Sequence, residues 1–375
     1  MTATVTEAPP TSEVRLPSKS RDALVVVGIY VASIAGALLV SALLVGVTGG
    51  SASEVFSALI DGSLRNDGAW GDTLVKMAPL LIVASGAIIS SRAGLVNIGQ
   101  EGQLLIGAVF AAYVGARIDG PGWFRIVVTL LLAAVGGGLW AGIAAVLKFR
   151  RGVPEVLSTL LLVFVSYQVL AYGLTSQRWL LDTDPNARQQ LNRGTQLPPE
   201  NRLPSVELFG NTFHIGVLLA LGLALIAAFV LAWTVWGFKL RMLGQNARTA
   251  QRMGVSAALA GTIALVVSGA FAGLAGGVLL TGTSDYRITL GYSRNFGWDG
   301  LLVALLARDK PLVAIPMAFV FACLRTGADY LGVTGVARDI VNVVQALLVL
   351  ALLIPPAILF LRDRRRAMSA MRART

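Results

Sequence analysis

Apolar residues in this chain fall into long runs parted by short polar stretches. The first run, Leu24 to Val47, contains no charged residue, and about 20 apolar residues suffice for a helix to cross a bilayer. Read onward in the same way, the chain gives ten segments, roughly 24–47, 73–91, 95–117, 124–147, 154–175, 213–237, 257–280, 297–307, 312–331 and 338–361. The eighth is too short to span alone, so a half-helix or irregular backbone shielded by protein is expected there. Residues 1–23 are polar, include Pro9 and Pro10, and read as a disordered cytoplasmic tail. Residues 362–375 read as a second, basic cytoplasmic tail. The first run is too long for a signal-peptide core and reads as the first span.

Composition agrees with an integral membrane protein: mean hydropathy is +0.72, 55% of the 375 residues are hydrophobic and 14% are charged. The net charge of +11 needs no nucleic acid to explain it. Its basic residues gather in Lys148–Arg151, in Lys239–Arg252 and in the arginines from Arg362 to Arg374. Short loops of that kind stay in the cytoplasm, which puts both termini inside and leaves 176–212 as a long external loop rich in Pro, Asn and Gln. Cys323 is the only cysteine and His214 the only histidine. An intramolecular disulfide and a histidine-based metal cluster are therefore excluded, and His214 is expected at a span mouth, hydrogen-bonded to lipid or water.

A repeat underlies the run of segments. Asn97-Ile98-Gly99-Gln100-Glu101-Gly102 returns as Asn295-Phe296-Gly297-Trp298-Asp299-Gly300, and Ser85-Gly86-Ala87 upstream returns as Ser268-Gly269-Ala270. Each half then holds five segments, an odd number, so the halves must be inverted, a symmetry frequent in transporters. The expected fold is an all-α membrane domain over residues 24–361, with repeat 1 at about 24–175, repeat 2 at about 213–361, and broken helices in both.

The first repeated stretch crowds Asn97, Gln100, Glu101 and Gln103 between apolar runs, with Gly99 and Gly102 among them. Polar groups at that depth are costly unless they face protein or a watery path. Two compatible readings stay open. In one, a broken helix carries Glu101 in its first turn, favoured by the helix dipole, with Asp299, Glu155 and Asp339 read alike. In the other, two broken helices flank a path for a polar solute. No catalytic chemistry is visible: none of Lys19, Lys76, Lys148, Lys239 and Lys310 follows a glycine, so a P-loop is absent. The chain reads as a transport subunit and not an enzyme.

The inside loop 238–256, FKLRMLGQNARTAQRMGVS, is either a solvated positive loop or a docking element, with the small residues Ala250 and Gly254 four apart. Its pattern Gly244-x-Asn246-x-x-x-Ala250-x-x-x-Gly254 resembles the coupling loop of permease subunits in bacterial ABC importers of the branched-chain amino acid, ribose and nucleoside group, with Thr249 standing where a second alanine is usual. Gly94 to Gln103 and Pro154-Glu155-Val156-Leu157-Ser158-Thr159 resemble elements of the nucleoside and simple-sugar branch. The likeness spans residues 24–361. It implies a bacterial inner-membrane location and pairing with a second, similar permease. It also implies two ATPase subunits that bind ATP and Mg, and an external substrate-binding protein or lipoprotein. Around the protein is membrane lipid, and no nucleic acid. The implied path residues are Asn97, Gln100, Glu101, Gln103, Glu155, Ser158, Asn295 and Asp299, and the coupling residues Gly244, Asn246, Arg248, Ala250, Arg252 and Gly254. The implied solute is a nucleoside, with sugars and branched-chain amino acids as alternatives. An ion-coupled secondary transporter, with Glu101 and Asp299 as ion sites, is the rival from another class.

Overall fold

The computed structural model describes residues 19–47, 52–182, 192–283 and 285–333, with scattered residues between 343 and 369. They belong to two units, one comprising Met1–Gly49 with Ala346–Thr375 and the other Gly50–Gln345. The first unit contains α1 (Lys19–Val47), which covers the first apolar run and begins inside the expected tail. Most of the tenth segment, Asp339 and residues 1–18 lie outside the described residues.

The second unit opens with α2 (Ala52–Ile60) and a π-helical turn at Asp61–Arg65, neither expected from the apolar runs. Then follow α3 (Ala69–Arg92), α4 (Gln100–Gly115), α5 (Gly122–Arg151) and α6 (Glu155–Gly173). The external loop folds into a hairpin, β1 (Ser205–Leu208) with β2 (Asn211–His214). Its turn residues Phe209 and Gly210 both have positive φ, 51° and 72°, as a two-residue hairpin turn demands. This sheet departs from the strictly all-α expectation. Beyond it lie α7 (Gly216–Trp233), α8 (Val235–Gln245), α9 (Ala247–Arg252), α10 (Ala257–Gly282), α11 (Phe296–Leu306) and α12 (Pro311–Val333).

Six of the described helices are long and apolar enough to cross a membrane: Ala69–Arg92, Gly122–Arg151, Glu155–Gly173, Gly216–Trp233, Ala257–Gly282 and Pro311–Tyr330. The protein is a mostly helical, multi-pass membrane protein. The eighth segment is the 11-residue α11, a half-helix by length. Segment 95–117 is not one helix, because Leu95 to Ile98 are non-helical. Gly94 turns left-handed at φ 74°, and the Asn97 side chain takes the Gly99 N–H at 3.1 Å, a local bond that competes with helix. Segment 213–237 is likewise divided. Thr234 adopts an extended conformation and its hydroxyl caps α8 through the Gly237 N–H at 3.1 Å.

The centre of this unit is α3, whose residues from Met77 to Ser90 are all buried. Beside it α10 packs on α4 and α5 with backbone nearly touching backbone. A Cβ built on Gly107 would stand 2.3 Å from the Gly273 Cα, one on Gly137 2.3 Å from the Gly269 carbonyl oxygen, and one on Gly276 2.2 Å from the Leu104 carbonyl oxygen. Carbon atoms settle about 3.5–4.0 Å apart, so only glycine fits. In lipid, where apolar burial alone drives little helix association, such close contact supplies the cohesion.

His214 stands at the mouth of α7, as the sequence suggested, but it is buried rather than facing lipid or water. It is 3% exposed, and its Nδ1 has no hydrogen-bond partner among the described residues. The ring fits because its neighbours are glycines: a Cβ on Gly282 would be 2.4 Å from Nε2, and one on Gly216 2.6 Å from Nδ1. Burial opposes the charged imidazolium and pushes the pKa down to about 4.

Two outcomes follow from this packing. Gly273→Leu should lower thermal stability in detergent by at least ~1–3 kcal/mol, the cost of forcing extra methylenes into a filled core, while Leu139→Ala on the exposed face of α5 should leave the melting curve in place. For His214, the unfolded chain binds its proton as pH falls through 6.5 and the folded chain only near about 4. Stability is therefore full above 6.5 and declines from there toward pH 4. Melts of the parent and His214→Asn across that range should differ in slope, the variant losing this part of the decline.

Candidate functional site

The polar residues crowded around the α3–α4 break are buried, Asn97 in the non-helical link from Leu95 to Gly99 and Gln100, Glu101 and Gln103 at the start of α4. Asn97 is 2% exposed, Gln100 and Glu101 0%, and Gln103 1%. Asn97 and Gln103 bond reciprocally: Asn97 Nδ2 donates to Gln103 Oε1 at 2.8 Å, and Gln103 Nε2 donates to Asn97 Oδ1 at 2.9 Å. Asn97 Nδ2 also donates to Ser268 Oγ on α10 at 3.0 Å, as does Gln100 Nε2 at 2.8 Å. Ile98 N–H reaches Thr159 Oγ1 on α6 at 3.3 Å. Gln100 Oε1 alone in this cluster has no partner among the described residues.

Glu101 lies in the first turn of α4 but serves another helix. Its Oε2 accepts the Gly297 N–H at 2.7 Å, at the start of α11. Its Oε1 accepts from Ser293 Oγ and, at 3.2 Å, from the Tyr167 hydroxyl on α6. The two half-helices touch closely here, since a Cβ on Gly297 would be 2.4 Å from the Glu101 Cα. A carboxylate at a helix N-terminus meets its unpaired N–H groups and the positive end of its dipole. Ser293 and Tyr167 were not foreseen. Their only sequence signal is polarity beside apolar segments, which does not point to Glu101.

The second copy of the repeat is built differently. Helix α11 starts at Phe296, directly after Asn295, whereas α4 starts three residues after Asn97. Asn295 is left-handed at φ 66° and exposed. Asp299 is in the first turn of α11 and pairs with Arg325 of α12, whose guanidinium also lies 4.0 Å over the Phe296 ring. Arg325 is another residue the sequence reading missed. Glu155, at the start of α6, pairs with Lys148 at the end of α5. The Ser158 hydroxyl bonds back to the Glu155 carbonyl at 3.2 Å. Glu155 also takes a backbone hydrogen bond from Val96, in the link beside Asn97. Among the described residues there is no group of three or more His, Cys, Asp or Glu able to hold a metal.

The loop 238–256 is helical. Asn246 caps α9, accepting the Thr249 N–H at 3.1 Å. Arg248 and Arg252 are exposed, and Met253 is 72% exposed. Ala250 is 0% exposed and turned into the chain. Gly254 ends α9 at φ 81° with open space where a Cβ would go. Gly244 closes α8 against the α3–α4 link.

Residues 70–353 match the family described as branched-chain amino acid transport system permease component. The guanosine ABC transporter permease NupP of Bacillus subtilis is 31% identical over 316 residues, covering 84% of this chain and 89% of that protein. The glucose ABC transporter permease TsgB13 of Haloferax volcanii is 30% identical, covering 75% of each chain. The nucleoside ABC transporter permease NupB of Lactococcus lactis is 26% identical, covering 81% of this chain and 84% of its own.

Substitution at Glu101 should separate shape from charge. Glu101→Gln keeps one acceptor for Gly297 and should be mild. Glu101→Leu strands the Gly297, Ser293 and Tyr167 donors at about 1–3 kcal/mol each, and should sharply lower the yield of folded protein from membranes, measured by fluorescence-detected size exclusion.

Proposed function

This chain belongs to the family of branched-chain amino acid transport system permease components, the membrane subunits of ABC transporters and not enzymes, and we propose that within it the chain carries nucleosides inward as half of a translocation path. The observation that carries the solute class is the similarity to NupP over most of both chains. Family membership sets aside the ion-coupled rival. A sugar is the second reading, favoured by the similarity to TsgB13.

In this reading the chain pairs with a second permease, two ATPase subunits that bind ATP and Mg, and an external substrate-binding protein. Both termini are cytoplasmic, and residues 24–361 form the two inverted halves. The half-helices α4 and α11 flank the path. Gln100, whose Oε1 has no partner among the described residues, and exposed Asn295 offer uncharged hydrogen-bonding groups to an uncharged solute, which must be held weakly enough to move on, while Asn97 and Gln103 border the path and hold its wall in shape. Glu101, Glu155, Ser158 and Asp299 fix the helix starts around it. The pair α8–α9 docks on the ATPase through Arg248, Arg252, Met253 and Gly254, with Gly244, Asn246 and Ala250 shaping it from within. Exposed basic and apolar side chains on one short helix support this role.

In vesicles holding the assembled complex, ATP should drive accumulation of labelled guanosine, and a hundredfold excess of glucose should not compete. Glucose accumulation would instead favour the sugar reading. Arg248→Glu with Arg252→Glu should cut uptake about tenfold, as removal of paired interface charges does, at unchanged membrane levels of this chain. Undiminished uptake would count against docking at α9.

A further inference from the structure

The link between α3 and α4 is held at its α3 end by contacts that neither the repeat nor the amide cluster requires. Gly94, left-handed at φ 74°, would bring a Cβ to 3.0 Å from the Gly244 Cα at the end of α8. In the other direction, a Cβ on Gly244 would be 2.5 Å from the Arg92 carbonyl oxygen and 2.9 Å from the Gly94 nitrogen. Two backbones thus meet with no side chain between them. The Arg92 side chain in turn clasps the α11–α12 turn, its Nε and one terminal nitrogen donating to the Asp309 carbonyl at 2.9 and 2.7 Å. A few residues on, the same link ends in the bonds to Thr159 and Ser268 and in Glu101.

We infer that the link 93–99 is the lever through which α8–α9 moves the two half-helices, with Gly94 and Gly244 as its bearing and Arg92 as the tie that carries α11 along. A displacement of α8 cannot be absorbed by a side chain at this contact, because there is none. It passes directly into a non-helical segment of the chain. That segment is bonded to α6 and α10 and continues into α4, whose Glu101 holds the start of α11. The inference rests on the reading of α8–α9 as the ATPase-docking element.

The test uses the assembled complex in vesicles, with Val96→Cys in a Cys323→Ser background, since the Val96 side chain is exposed at 46%. Its reaction with a charged maleimide is timed without nucleotide and after trapping with ATP and vanadate. In the native complex, trapping should change the rate about fivefold or more, the low end for coupled sites. With Gly94→Ala, whose Cβ would press on Gly244 from the link side, ATP hydrolysis should persist while the rate change disappears and solute taken up per ATP falls by about the same factor. Arg92→Gln, which leaves the glycine contact intact, should weaken both effects. A Gly94→Ala complex that keeps the native rate change and uptake per ATP would overturn the lever. An ATPase that fails to bind even the native chain would overturn the docking reading itself.

Discussion

A helix that stops within a bilayer leaves its first N–H groups with no water to bind. Two short helices, α4 and α11, begin at buried residues, and the carboxylate of Glu101 ties them together. It sits in the first turn of α4 and accepts the N–H of Gly297 in α11, so one helix supplies the acceptor for the start of the other. Asn97 answers the same need locally by taking the Gly99 N–H. The polar residues at the centre therefore serve backbone groups first, and any role toward a solute is laid over that.

The arrangement depends on how near α10 can come. Ser268 receives the amides of Asn97 and Gln100, and Gly269, Gly273 and Gly276 on the same helix let α4 and α5 approach it backbone to backbone. Any side chain along that seam would lift α10 away and break the amide contacts with it. Polar satisfaction and small-residue packing are two aspects of one helix placement.

Much of this was legible in the sequence. The described spans follow the apolar runs, because in lipid the apolar character of a segment outweighs its other preferences. The short α11 was visible from its length alone. The breaks were harder. That near Gly99 was suggested by crowded amides and glycines, yet the first residue of α4 was set by Gly94 and the Asn97 side chain. That at Thr234 lies inside an apolar run, where a single hydroxyl capping α8 leaves hydropathy unchanged. The hairpin was hidden because two four-residue strands in a polar loop give little period to read. Ala250 shows another gap: a small residue on a short helix can face inward or outward, and burial decided it. Tyr167, Ser293 and Arg325 could not be found at all, since their partners are brought to them only by the folded chain.

The bond between Glu101 and the second half also fixes an order in time. Ser293 and Gly297 are 192 and 196 residues further along the chain. A ribosome adding about 5–20 residues per second makes them roughly 10–40 s after Glu101 has been synthesised. Throughout that interval the acid lacks Ser293 and the backbones of Gly297 and Trp298, three of its four partners. Until α11 arrives, the Tyr167 hydroxyl of α6 is the only one of them that can reach it. The contact between α4 and α11, central to the fold, is therefore one of the last that the growing chain can make.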